Sequence, residues 1–155
     1  MCIRDSSRVQ RRLGNRKLIT KTPSECLSVP MDGQLIIQVL VNLIENSIKH
    51  TNNEGEIQLI VEKVLIKEKR NTPFVRFAVT DDGTGITREI QEHMFESFVT
   101  SETEKGADCG RGMGLGLSIA SEIVKVHCGV IGSYNNETKG ATIYFLLPLE
   151  RSCHE

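Results

Sequence analysis

Asn42-Leu-Ile-Glu-Asn46-Ser-Ile-Lys-His-Thr51 sets two asparagines, a glutamate and a lysine inside a stretch that otherwise reads as a buried helix. From Leu35 to Ile48 the apolar residues Leu35, Ile36, Ile37, Val39, Leu40, Val41, Leu43, Ile44 and Ile48 are dense enough for a helix covered on most sides. Asp32 is placed to cap its N-terminus. At about 100° per residue, Gln38, Asn42, Glu45, Asn46 and Lys49 align in one stripe about 80° wide. Asparagine is a poor mid-helix residue because its amide competes for backbone hydrogen bonds, and a buried amide without a partner costs about 1–3 kcal/mol. The stripe is either a solvated face or the wall of a polar site; the helix alone does not choose.

Working outward, Ser7 to Leu13 is short and basic, the remnant of a helix, and Lys17 to Lys21 and Cys26 to Val29 read as short strands separated by Thr22-Pro23. Downstream of the helix, residues 52–55 form a turn. Glu56 to Ile66 and Phe74 to Thr80 follow as an antiparallel pair of strands, joined by the polar segment 67–72. Thr87 caps a short helix to about Phe98, and Val99 to Met113, polar and without period, reads as a mobile loop. Leu115 to His127 is a second long helix. Gly129 to Tyr134 and Ala141 to Leu147 form a hairpin across residues 135–140. The sum is an α/β sandwich: a mixed, mostly antiparallel sheet of about five strands with helices packed on one face.

The totals narrow the function classes. The 155 residues, 39% of them hydrophobic, suffice for one core. A net charge of −1 gives no global attraction to nucleic acid or an anionic membrane. No apolar run is long enough to span a bilayer and no signal-peptide core opens the chain, so a cytoplasmic setting without direct membrane contact is expected. Cys2, Cys26, Cys109, Cys128 and Cys153 are odd in number and lack C-x-x-C spacing, which argues against a disulfide framework or a zinc site. His50 and His127 sit near helix ends, where surface or capping roles are expected. The opening MCIRDS resembles translated sequencing-adapter sequence. Residues 1–6 are therefore read as a non-native leader, 7–149 as one domain and 150–155 as a tail, within a fragment of a longer protein.

Two glycine clusters carry chemistry. Asp81-Asp-Gly-Thr-Gly-Ile86 ends a strand; its glycines permit positive φ and close approach of a ligand, and its carboxylate can accept from an exocyclic amine. Taken alone, Asp-Gly is also an ordinary turn. Gly110-Arg-Gly-Met-Gly-Leu-Gly-Leu-Ser118 places four glycines at alternate positions directly before a helix, where unhindered backbone N–H groups suit phosphate. It matches neither the P-loop nor the Rossmann spacing.

In that order, the asparagine-lined helix N42–T51, the box D81-D-G-T-G85, the phenylalanine box F95-E-S-F98 and the second glycine box G112-M-G-L-G-L117 resemble the ATP-binding domain of sensor histidine kinases, the Bergerat fold shared with gyrase and MutL. The resemblance covers about residues 7 to 149. It implies that Asp81 bonds the adenine amine, with Gly83, Gly85 and Ile86 shaping the pocket. Asn42 and Asn46 would meet Mg²⁺ and the phosphates, Lys49 would neutralise phosphate charge, and His50 would flank the nucleotide. Gly112, Gly114 and Gly116 would offer backbone donors beneath a lid at about Val99 to Met113, with Phe98, Arg111, Leu115 and Leu117 completing the site.

Hydrolysing relatives carry a glutamate at position 42; an asparagine cannot take a proton from water near neutral pH, so Asn42 favours phosphotransfer. Glu45 reads as a solvated or partner-facing charge. The family's aromatic–Arg pair is replaced by Val99-Thr100, its usual threonine by Met113 and its His-Gly-Gly by His127-Cys128-Gly129, which puts strain in that turn. The stretch at 108–118 and Val29-Pro-Met-Asp-Gly33 most resemble potassium-responsive, KdpD-type kinases. The phosphoacceptor histidine box is absent. The partners implied are therefore the parent kinase's dimerisation domain, which would receive the γ-phosphoryl group, and a response regulator, with no nucleic acid. The alternative is a non-catalytic ATP-dependent regulatory module of the same fold.

Overall fold

Asp32 starts the helix that the apolar run requires. In the structure, a computed structural model that describes residues 11–96 and 115–150, its Oδ1 accepts from the backbone N–H groups of Gln34 (3.1 Å) and Leu35 (3.2 Å). Helix α1 then runs Gly33–His50 and buries Ile36, Val39, Leu40, Val41, Leu43 and Ile44. Thr51 ends it in an extended conformation, its hydroxyl donating back to the Ser47 carbonyl at 3.0 Å.

Strands β1 (Lys17–Lys21), β2 (Glu56–Ile66), β3 (Thr72–Asp81), β4 (Val130–Asn135) and β5 (Ala141–Pro148) form one sheet in the order β1-β2-β3-β5-β4. Only β1 and β2 pair in parallel; the other neighbours are antiparallel. Successive side chains of a strand point to opposite faces. One parity, including Ile57, Leu59, Val75, Phe77, Val79, Ile143, Phe145 and Leu147, joins the core beneath α1 and helix α3 (Leu115–Val126). Phe77 and Phe145 face each other in register and stack with centroids 4.7 Å apart. The other parity carries Arg76, bonded to Glu62 (3.1 Å) and to the Tyr134 hydroxyl (2.9 Å) and lying over the Tyr144 ring. The helices thus cover one face, as the sequence predicts.

Two expected elements differ. Cys26 to Val29 is not a strand: the segment has no ladder partner among the described residues, and Leu27 and Val29 pack against the core instead. The short helix α2 is capped by Thr87 (Oγ1 to Ile90 N, 3.3 Å) but spans only Arg88–His93. There a turn closed by Glu96 N–H to His93 O (2.9 Å) folds Met94 into the core. Phe98, the loop 99–113, the leader 1–6 and residues 151–155 lie outside the described residues. Of the basic segment before Gly14, residues 11–13 are helical.

Candidate functional site

The stripe on α1 runs between the two glycine turns. At one end, Asn42 Nδ2 donates to the Gly116 carbonyl in the first turn of α3, at 3.1 Å. At the other, Gly83 lies directly on the end of α1: a Cβ there would sit 1.9 Å from the His50 carbonyl oxygen. Asn42 and His50 are eight residues apart, about 12 Å along a helix that rises about 1.5 Å per residue. Asn46 and Lys49 fall between them at helical spacing, half-buried and exposed respectively. One helix face therefore links both glycine turns.

Asp81 closes β3 and is 8% exposed. Its Oδ1 accepts from the N–H groups of Gly83 (2.9 Å) and Ala141 (3.3 Å). Among the described residues Oδ2 has no hydrogen-bond partner, yet it is not sealed from solvent. A carboxylate with one oxygen fixed by backbone and the other open is a directed acceptor. Asn42 is divided in the same way: Nδ2 is committed to Gly116, while Oδ1 has no partner among the described residues. A free amide oxygen is a ligand type that Mg²⁺ accepts.

Gly116 and Gly83 are glycines for different reasons. Packing forces Gly83. At Gly116 the nearest atom to an added Cβ is Asn42 Cγ at 3.8 Å, an ordinary contact, so the fold alone does not require glycine there. Gly85 has φ +84°, in the left-handed region that favours glycine. Ile86 and Leu117 are half-buried against the core edge. Phe98, Arg111, Gly112 and Gly114, and the side chain of Leu115, lie outside the described residues, as do Thr100 and Met113.

Three expectations change. Glu45 is not a solvated charge: its side chain is 12% exposed, and its Oε1 lies 3.7 Å from Arg12 Nε. His127 does more than cap α3. Its Nδ1 lies 2.8 Å from the Ile123 carbonyl and its Nε2 accepts from Asp32 N–H at 3.0 Å, tying the end of α3 to the start of α1. Cys128 is disulfide-bonded, against the reading of the cysteine count, whereas Cys26 is a free, exposed thiol. The expected strain at Cys128 is real: its φ is +61°, and Gly129 N–H bonds back to Val124 O at 2.9 Å, a helix-ending motif whose left-handed position usually holds glycine.

Sequence reasoning placed the hairpin between β4 and β5, now seen as Val130–Asn135 paired with Ala141–Pro148, but missed the contacts its turn makes with the Asp81–Ile86 segment. Asn135 bonds the backbone of Ile86 through both ends of its amide, and Asn136 bonds the Asp81 carbonyl. The only signal was the doubled asparagine, which reads as turn chemistry.

The chain belongs to the family described as histidine kinase-, DNA gyrase B-, and HSP90-like ATPase, whose family model matches residues 31–151. Its relatives place it on the sensor-kinase side of that family. It is 37% identical over 136 residues to sensor protein KdpD of Clostridium acetobutylicum, covering 88% of this chain and 14% of that protein. To adaptive-response sensory kinase SasA of Crocosphaera subtropica it is 38% identical over 135 residues, covering 87% and 33%. The chain therefore spans a third of the SasA sequence and less of KdpD. The catalytic domain of histidine kinase ThkA superimposes with a TM-score of 0.72 at 30% identity, over 94% of this chain and 89% of that one. Fold and family are those of the ATP-binding domain of sensor histidine kinases. The KdpD-type resemblance is met by a KdpD relative, at an identity that SasA shares. Among the described residues no helix is long and apolar enough to cross a membrane.

Proposed function

We propose that this domain binds Mg-ATP along α1 and donates the γ-phosphoryl group to a histidine on the dimerisation domain of a parent kinase, which passes it to a response regulator. The observation that carries the reading is the single helix face joining Gly116 at Asn42 to Gly83 at His50. Adenine would lie at the His50 end, its exocyclic amine donating to Asp81 Oδ2 between Gly83, Gly85 and Ile86. The phosphates would lie at the Asn42 end, against the start of α3, with Lys49 between. Mg²⁺ fits Asn42 and Asn46, whose amide oxygens are hard neutral donors, and would neutralise charge as the phosphoryl group transfers. The terminal P–O bond breaks as an imidazole nitrogen bonds phosphorus, and ADP leaves. Asn42 has no basic group with which to activate water, which supports transfer over hydrolysis. Phe98, Arg111, Gly112, Gly114, Leu115 and Leu117 belong to the same proposed site.

The test has two stages. Calorimetry with the folded chain is expected to show magnesium-dependent ATP binding, and addition of a histidine-bearing dimerisation domain with labelled ATP is expected to yield acid-labile phosphohistidine. Folded protein without adenine-nucleotide affinity rejects the site. Binding without phosphohistidine rejects the kinase reading and favours the regulatory module.

A further inference from the structure

We propose that Asn135 and Asn136, consecutive residues where β4 leaves the sheet, are positioning residues that hold the two ends of the Asp81–Ile86 turn and so aim Asp81 at the base; this rests on the reading of that turn as the adenine pocket. Asn135 Oδ1 accepts from Ile86 N–H at 2.7 Å and its Nδ2 donates to Ile86 O at 2.8 Å. A side-chain amide presents an acceptor and a donor much as a peptide group does, so Asn135, whose backbone is in the ladder pair with Ala141, serves through its side chain as a one-residue strand partner for Ile86. A Cβ on Gly85 would meet the same Oδ1 at 3.0 Å, so glycine and clamp fit together.

Asn136 grips the other end. Its Nδ2 shares two protons among Asp81 O (3.0 Å), Thr80 Oγ1 (3.1 Å) and Lys139 O (3.1 Å), one of these bonds being bifurcated, and its Oδ1 accepts from Thr142 Oγ1 at 2.6 Å. The Thr142 and Thr80 hydroxyls are 2.9 Å apart. Thr142 has one proton and gives it to Asn136, so Thr80 must donate to Thr142, and the ring Asn136–Thr80–Thr142 closes in one sense only. A flipped amide would set Oδ1 against two carbonyls. The turn is thereby held between the end of α1, at Gly83, and the hairpin behind it. β4 also holds the chain beyond: Gln91 Nε2 donates to Ser133 O at 2.9 Å.

Asn135 is exposed, so its replacement leaves the core intact. The experiment compares wild type, Asn135→Ala and Asn135→Asp by calorimetry with Mg-ATP and Mg-ADP, together with amide hydrogen exchange without nucleotide. Asn135→Ala is expected to weaken ATP and ADP by the same factor, about tenfold for lost orientation of one charged hydrogen bond. It should also speed exchange at residues 83–87 while β2 and β3 keep their protection. Asn135→Asp keeps the acceptor for Ile86 N–H but sets its second oxygen against the Ile86 carbonyl, so it should restore only part of that protection and of the affinity. Unchanged nucleotide affinity in Asn135→Ala, or exchange raised throughout the sheet, overturns the proposal. Wild type that is folded and binds neither nucleotide overturns the pocket reading beneath it, and the proposal with it.

Discussion

Asn42 Nδ2 donates to the Gly116 carbonyl across 3.1 Å, joining the middle of α1 to the first turn of α3. The bond makes the polar stripe part of a helix–helix contact as well as a site wall, and it orients the amide so that oxygen, not nitrogen, is left for a ligand. Asn42→Asp keeps the shape but sets an acceptor against an acceptor. It is expected to lower stability by about 1 kcal/mol in denaturant titration, the scale of one hydrogen bond lost at a part-buried contact. Stability equal to wild type would show that the α1–α3 bond is incidental.

Asp81→Asn separates fold from recognition. The amide oxygen can still accept from Gly83 and Ala141, so the turn should persist. The open position would lose its charge and present an N–H to the adenine amine. ATP affinity is expected to fall about 10- to 100-fold, matching a charged hydrogen bond of about 1.5–3 kcal/mol, with a near-native melting curve. Calorimetry at a temperature where both proteins are folded measures it; unaltered affinity would falsify the assignment of Asp81 to the base.

How much of this was legible depended on distance along the chain. The stripe Asn42–Asn46–Lys49 could be read because helical period and amide chemistry are local, and the caps at Asp32 and Thr87 followed from the same kind of signal. Partners far apart in sequence were not readable. Nothing near Glu45 announces Arg12, nothing near His127 announces Asp32, and nothing in Asn135-Asn136 distinguishes a clamp on Ile86 from an ordinary turn. The Cys26 to Val29 misreading had another cause: Leu27 and Val29 are apolar because they pack against the core, which a segment without a ladder can do as well as a strand.

Cys128 offers a stability test away from the site. At φ +61° it holds a conformation that costs an L-residue about 1–2 kcal/mol and glycine almost nothing. With reductant present, so that loss of the disulfide does not enter the comparison, Cys128→Gly is expected to raise stability by about 1 kcal/mol. The melting midpoint should move up by about 2–4 °C. No gain in scanning calorimetry would mean that the turn carries no strain.

Gly83 and Gly116 allow packing and binding to be told apart with one type of substitution. Gly83→Ala drives a methyl into the His50 carbonyl, where the ideal separation would be 1.9 Å from backbone that cannot easily move, so the turn must leave α1. A loss of about 1–3 kcal/mol in stability is expected, as for overpacking, with nucleotide affinity falling because Asp81 moves too. Gly116→Ala meets nothing closer than 3.8 Å and replaces a helical glycine, so stability should hold or rise by about 0.5–1 kcal/mol. Its methyl would nonetheless stand beside Asn42, on the path proposed for the phosphates. The expected result is a more stable protein with weaker ATP binding, read by paired denaturation and calorimetry. If Gly116→Ala binds ATP as wild type does, the phosphates do not lie against the start of α3.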